Sequence, residues 1–179
     1  SKVMVTLGGA DPGGHTEQVI EASRIARARF PNWNLKARVI VGAANPRLAT
    51  LRALGDAAEG LEILSDVRDM GEQMRWCDLA ISASGSTVWE LALFQTPMLV
   101  ATASRAEEPV ATSLRNAGAA LHMGRLEGLD IEALIDAVAR VVTDEDLRSR
   151  LSLAVGAMVD GNGAERVVDQ MLAISRDSG

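Results

Sequence analysis

Short apolar runs alternate with longer amphipathic stretches along most of this chain, and that alternation restricts the fold more than any other feature. Residues 3–7, 36–41, 61–64, 79–82 and 97–101 read as buried strands, and residues 119–123 as a sixth. Between them lie helical patterns over 14–29, 46–54, 70–77, 86–94 and 108–117. In the first, Val19, Ala22, Ile25 and Ala26 share one face, with Glu17, Glu21 and Arg24 outside it, and Pro31 ends the element. Pro46 and Pro109 are expected near the first positions of their helices, where a missing N–H is harmless. Strands joined through helices pair in parallel, because parallel neighbours need a crossover. The expected fold is therefore α/β: a doubly wound, mostly parallel sheet of about six strands with helices on both faces.

Beyond residue 123 the pattern turns helical. Asp130 is the expected N-cap of a helix carrying Ile131, Leu134, Ile135 and Val138. Leu147, Leu151 and Val155 make another stripe, and residues 163–175 a last helix with Val167, Val168, Met171 and Leu172. No long linker or internal repeat interrupts the chain, so residues 1–179 are expected to form one domain with a helical tail from about residue 130. Because the chain opens almost directly in a strand, it is expected to be part of a longer polypeptide.

Composition excludes several functions. The net charge is −6, and there are three Trp, two Phe and no Tyr, which leaves neither the basic footprint nor the stacking aromatics of a nucleic-acid binder. The single cysteine, Cys77, excludes an internal disulfide or a cysteine-clustered metal site. It fits a reducing compartment, and the expected location is cytoplasmic. No apolar run reaches the roughly 18–20 residues of a membrane span. His15 and His122 are isolated and have no metal-ligand spacing, so neither a metal nor a cofactor is expected.

In a doubly wound sheet, ligands bind beyond the carboxyl ends of the strands. The loops expected there are 8–15, 42–46, 65–69, 83–87 and 102–108. In Ser84-Gly85-Ser86-Thr87-Val88-Trp89-Glu90 a strand ends, glycine turns the backbone, and a helix begins. Free N–H groups and the hydroxyls of Ser86 and Thr87 suit a phosphate, and Glu90, one turn on, suits the ribose hydroxyls of a nucleotide. The same spacing also fits Ser86 as a plain N-cap with Glu90 complementing the helix dipole. Gly8-Gly9-Ala10-Asp11-Pro12-Gly13-Gly14 is a second glycine-rich turn. It matches neither the dinucleotide fingerprint nor a Walker A loop.

Several blocks in this order carry a resemblance. They are Leu7-Gly8-Gly9-Ala10-Asp11-Pro12, Val41-Gly42 with Asn45-Pro46, Ser65-Asp66-Val67 with Met70 and Met74, Asp78 to Ala83, Gly85-Ser86-Thr87-Val88-Trp89-Glu90, and Asp160-Gly161-Asn162-Gly163-Ala164-Glu165-Arg166. Together they resemble the C-terminal half of the UDP-sugar hydrolases of the pseudaminic-acid pathway, a family that takes in the spore-coat polysaccharide protein SpsG. That family is similar in turn to MurG-type glycosyltransferases of the GT-B fold.

The resemblance covers nearly the whole chain. It implies a Rossmann-like half of a GT-B fold that binds UDP or a UDP-sugar, with an N-terminal partner domain completing the cleft. The backbone near Val67 would hold uracil, Ser86 and Thr87 with Gly85 the diphosphate, and Glu90 the ribose. Gly8, Gly9 and Asp11 would face the phosphate and sugar. The family's Asn-Gln-Glu-Pro stretch reads Ala106-Glu107-Glu108-Pro109 here, which puts Glu107 and Glu108 toward the sugar with Arg105 to offset their charge. The implied function is release of UDP from a modified deoxyamino sugar. The alternatives are the donor half of a glycosyltransferase and a UDP-sugar-binding module without catalysis. The catalytic residues would belong to the partner domain, so none is assigned in this chain.

Overall fold

The computed structural model describes residues 1–177. Its strands are β1 (Lys2–Thr6), β2 (Lys36–Val41), β3 (Leu61–Ser65), β4 (Leu79–Ala83), β5 (Met98–Thr102) and β6 (Leu121–Arg125). Its helices are α1 (His15–Arg29), α2 (Leu48–Asp56), α3 (Met70–Trp76), α4 (Thr87–Leu93), α5 (Glu108–Asn116), α6 (Ile131–Thr143), α7 (Glu145–Gly156) and α8 (Gly163–Asp177). The strands form one sheet in the order β3-β2-β1-β4-β5-β6, every pair parallel.

Side chains alternate across each strand, so the sheet feeds two apolar layers. Val3, Val5, Val39, Ile81 and Leu99 pack under α1 and α6, against Val19, Ala22, Leu134 and Val138. Met4, Ala80, Met98 and Val100 point the other way, into a layer with Met74, Val88, Leu91, Leu114 and Val155 from α3, α4, α5 and α7. Covered on both faces, β4 and β5 are buried at every residue, which is why they read as continuous apolar runs.

Three local departures from the sequence expectation have physical causes. Helix α2 begins at Leu48 rather than at Pro46, because Asn45 is buried and its side chain accepts a hydrogen bond from the Arg47 N–H at 2.8 Å. That turn fixes the backbone before the helix can start. Strand β6 begins at Leu121 rather than 119, because Gly118 (φ 65°) and the Ala119 N–H, bonded to the Leu114 carbonyl at 2.9 Å, are used to close α5. Ile25 is only half-buried, and Ile20 takes the deeper place on α1.

Asp130 caps α6 through the Ala133 N–H at 3.1 Å, as its position in the sequence implies. Asp144 caps α7 in the same way through Leu147 N–H at 2.8 Å. Helix α8 differs from the rest. Every residue from 160 to 174 is exposed, including Val167 (59%), Met171 (65%) and Leu172 (52%) on its apolar stripe. Its start is held by Arg166, which donates to both Asp160 carboxylate oxygens at 2.6 and 3.0 Å. Those bonds and the Asn162 N–H hold the Asp160 carboxyl down at about 2.

The two layers meet at β5, where Leu99 is fully buried. Leu99→Ala should lower unfolding free energy by about 2–5 kcal/mol with an unchanged urea m-value. A loss below about 1 kcal/mol would mean the site collapses and is not part of a packed layer.

Candidate nucleotide site at the carboxyl edge

Strands β1 and β4 run side by side at the middle of the sheet, with Thr6 opposite Ser82. The chain leaves β1 toward α1 and β2, and leaves β4 in the opposite sense toward α4 and β5. The two loops part above the strand ends, and this is the switch point at which a doubly wound sheet offers a ligand-binding crevice.

One wall is the β1–α1 loop. Leu7 is buried, Gly8 takes φ 93°, and Gly8, Gly9 and Ala10 are exposed. Asp11 is 6% exposed and lies at φ 37°. Its carboxylate accepts from the His15 N–H at 3.0 Å and from the Thr16 N–H and hydroxyl at 2.8 and 2.6 Å. Asp11 thus closes the first turn of α1 and fixes the loop's shape from below. Gly42, just after β2, buttresses the same loop, since a methyl group there would collide with the Gly9 carbonyl oxygen. The Arg47 guanidinium lies across Gly14 and 3.8 Å from the Glu17 carboxylate. Nothing in the sequence singles out Arg47, because its reach depends on the left-handed turn at Gly14 (φ 70°).

The other wall is the β4–α4 loop. Ser82 and Ser84 are buried and bonded within the chain, Ser82 to the Ala83 carbonyl at 2.8 Å and Ser84 to the Ala101 carbonyl at 3.1 Å. Ser86 is exposed, sits in αR geometry and makes no side-chain capping bond. The plain N-cap reading therefore has no hydrogen bond behind it. Among the described residues, Ser86, Thr87 and Glu90 have no side-chain partner. Gly9 and Gly85 share a property: neither has positive φ, and no atom lies within 4 Å of where a side chain would begin. Neither backbone conformation nor packing within the chain calls for glycine at these two positions, and both flank the crevice.

The remaining sequence-derived positions lie on the flanks. Val67 is half-buried in the β3–α3 loop, with β2 and β1 lying between its strand and β4, and α3 packs back over β1. Asp66 takes φ 57°, and Asp69 caps α3 through the Glu72 N–H at 2.9 Å. In the β5–α5 loop the Glu107 carboxylate turns back to accept the Ala103 N–H at 2.8 Å. Glu108 pairs with Arg125 at 3.4 Å. The charge of each is thus partly met within the chain. The side chains of Arg68 and Arg105, by contrast, are exposed on this edge and make no hydrogen bond or ion pair among the described residues. The described residues hold no cluster of His, Cys, Asp or Glu fit for a metal. Cys77 lies after α3 at the end opposite the crevice, and burial pushes its thiol up to about 11, leaving it protonated and unreactive at neutral pH.

With this geometry in place, comparisons with known proteins become informative. No family model matches the chain. It is 29% identical over 166 residues to the spore coat polysaccharide biosynthesis protein SpsG of Bacillus subtilis (strain 168), across 92% of this chain and 48% of SpsG. The MurG structure from Acinetobacter baumannii superimposes with a TM-score of 0.74 at 17% identity, covering 96% of this chain and 49% of that one. S. aureus MnaA, solved with UDP, gives 0.74 at 19% identity over 98% of this chain and 45% of that one. The fold is the Rossmann-like half of a GT-B, glycosyltransferase-like architecture. This chain spans about half the length of each of these three proteins. Among the described residues no helix is long and apolar enough to cross a membrane.

Two substitutions separate loop-building residues from free ones. Gly42→Ala should force the β1 and β2 loops apart and cost about 1–3 kcal/mol in urea unfolding. Ser86→Ala should change stability by less than about 0.5 kcal/mol, because no capping bond is lost. A loss of about 1 kcal/mol or more for Ser86→Ala would return that residue to a capping role.

Proposed function

We propose that the crevice between the β1 and β4 loops binds UDP-sugars, and that this chain is the nucleotide-binding half of an enzyme that releases UDP. The observation that carries the reading is the contrast at the crevice. Gly9 and Gly85 leave space the fold does not use, and Ser86, Thr87 and Glu90 present polar groups the fold does not satisfy. A diphosphate approaching Gly85 meets the free N–H groups of residues 86 and 87 and two hydroxyls. Helix α4 is only seven residues long, so these local donors matter more than its dipole. Glu90, one turn on, accepts from ribose hydroxyls. The β3–α3 loop at Val67 provides backbone groups for uracil. Gly8 and Gly9 face the phosphate and sugar, and Asp11 holds their loop in place. Arg105 and Arg68 offset the diphosphate charge. Glu107 and Glu108 stand toward the sugar, their own charges held by Ala103 N–H and Arg125.

The chemistry this half contributes is stabilisation of the leaving diphosphate by preorganised donors. The reaction we favour is hydrolysis: water attacks the anomeric carbon of a modified deoxyamino sugar, the C–O bond to the diphosphate breaks, and UDP departs. The similarity to SpsG and the matching sequence blocks support this reading. Transfer to an acceptor hydroxyl would use the same residues here, and the GT-B architecture supports it equally. The attacking group is activated on the partner domain, so the catalytic residues lie there.

Helix α8 supports the existence of that partner. A helix of its length is marginal in water without tertiary packing, and Val167, Val168, Met171 and Leu172 on its apolar stripe are each more than half exposed. The half of the GT-B architecture not spanned by this chain is the occupant we assign to that stripe.

Calorimetric titration of this chain should show saturable UDP binding and none for NAD. Glu90→Ala should weaken UDP about tenfold, a loss of about 1.4 kcal/mol, without moving the melting temperature. The Ser86→Ala, Thr87→Ala double variant should weaken UDP about tenfold and leave uridine nearly unchanged. Equal losses for both ligands would contradict the diphosphate assignment. Hydrogen exchange of the chain alone should find α8 amides nearly unprotected while β1 and β4 amides are protected. Protection of α8 equal to that of the sheet would contradict the need for a partner.

A further inference from the structure

The second feature that asks for a ligand lies away from the carboxyl edge. Strand β6 is the last in the sheet, so its outer row of backbone N–H and C=O groups has no strand partner. Such an edge is a template for another strand, and proteins usually cover it or charge it to prevent pairing. Here a groove of about 960 Å³ runs beside it, walled by the end of α5, by α6 and by α7.

Its lining is organised. Leu121 and Met123 of β6 and Leu147 of α7 are partly buried and supply an apolar floor. Arg115, Arg140 and Arg150 come from α5, α6 and α7 respectively, and all three are exposed. None of the three guanidinium groups makes a hydrogen bond or ion pair among the described residues. Several other arginines are tied down in pairs, among them Arg24–Glu21, Arg29–Glu132 and Arg38–Glu62, although Arg68 and Arg105 on the carboxyl edge are free as well. One carboxylate, Asp136, reaches the groove against these three cations. In a chain of net charge −6, a local excess of positive charge along an open strand edge runs against the overall balance.

We propose that this groove receives an extended acidic peptide segment that adds a seventh strand to β6. The segment's backbone pairs with the free edge of β6. Alternate side chains fall on the apolar floor, and the acidic ones between them meet the three guanidinium groups. Several observations favour a peptide over other anions. No Trp or Phe lines the groove, so apart from the partly buried His122 ring it has no aromatic platform for bases or sugar rings. The groove is concave and its floor is a strand edge, which suits a chain with its own N–H and C=O groups better than a bilayer surface. Cations from three separate helices point to several carboxylates spaced along a segment rather than to one small anion. This proposal does not depend on the nucleotide reading of the carboxyl edge.

The test uses a fluorescein-labelled, amidated heptapeptide of alternating Glu and Val, followed by anisotropy, with the intact chain. Saturable binding is expected, at least about tenfold weaker for the Arg115→Ala, Arg140→Ala, Arg150→Ala triple variant. These residues are exposed, and circular dichroism should confirm an unchanged melting curve. The same peptide with Lys replacing Glu should not bind. A version N-methylated at alternate backbone nitrogens keeps the charge but loses strand pairing, and should also lose at least about tenfold. Binding should weaken when NaCl rises from about 50 to about 500 mM. In NMR titrations the shifted amides should be those of residues 120–125.

The proposal is overturned if wild type shows no saturation, or if the triple variant or the N-methylated peptide binds within about twofold of its reference. It is equally overturned if the shifts map to the β4–α4 loop, or if phosphatidylglycerol vesicles bind this chain and the peptide does not.

Discussion

The parallel pairing of β1 with β4 is the constraint on which the other features depend. Val3 to Thr6 lie opposite Leu79 to Ser82, and these two strands are contiguous in space although two strands and three helices separate them in the chain. Parallel neighbours cannot be joined by a hairpin, and here the chain travels outward from β1 through β2 to β3 and returns through α3 to β4. The sheet is then extended in the opposite direction through β5 and β6. Two outcomes follow from this one pairing. The loops above β1 and β4 diverge and leave a crevice, and both faces of the central strands need helices to cover them. The apolar layers under α1 and α6 and under α3, α4 and α5 hold that geometry rigid.

Polar groups on the carboxyl edge divide into two sets. Asp11, Asn45, Asp69 and Glu107 each accept backbone N–H groups of their own loops, so they determine loop shape. Ser86, Thr87, Glu90, Arg68 and Arg105 make no such bonds and present themselves outward. The first set holds the β1–α1, β2–α2, β3–α3 and β5–α5 turns in shape without a ligand, whereas the side chains of the second set have no partner among the described residues. The same separation of paired from unpaired groups distinguishes the β6 groove, where three arginines stay free although carboxylates outnumber cations over the whole chain.

Much of this architecture can be read from the residues because burial on both faces writes strands as unbroken apolar runs. Residues 79–83 and 98–102 are the clearest instances. The N-cap at Asp130 was equally readable, since an acidic side chain before an apolar stripe has few other uses. The start of α2 was not, because the side chain of Asn45 turns the backbone just after Pro46. Nor was the start of β6, which depends on how α5 closes at Gly118. In the crevice, Ser86 and Glu90 stand out by spacing, yet spacing alone fits a cap as well as a phosphate site. The missing capping bond is a three-dimensional fact. Asp11 shows the converse: its place in a glycine-rich turn draws attention to a ligand, whereas its burial and its bonds to His15 and Thr16 reveal a structural task. The apolar stripe of α8 was visible as a pattern, but a pattern does not tell which side will be covered.

The central claim is that UDP sits between the β1 and β4 loops. Titrating ¹⁵N-labelled chain with UDP and following the amide shifts tests it directly. The account predicts saturable shifts at Gly8, Gly9, Gly85, Ser86 and Thr87, with residues 120–125 unmoved. Saturable shifts confined to other loops, or none at these five amides at saturating UDP, would contradict it.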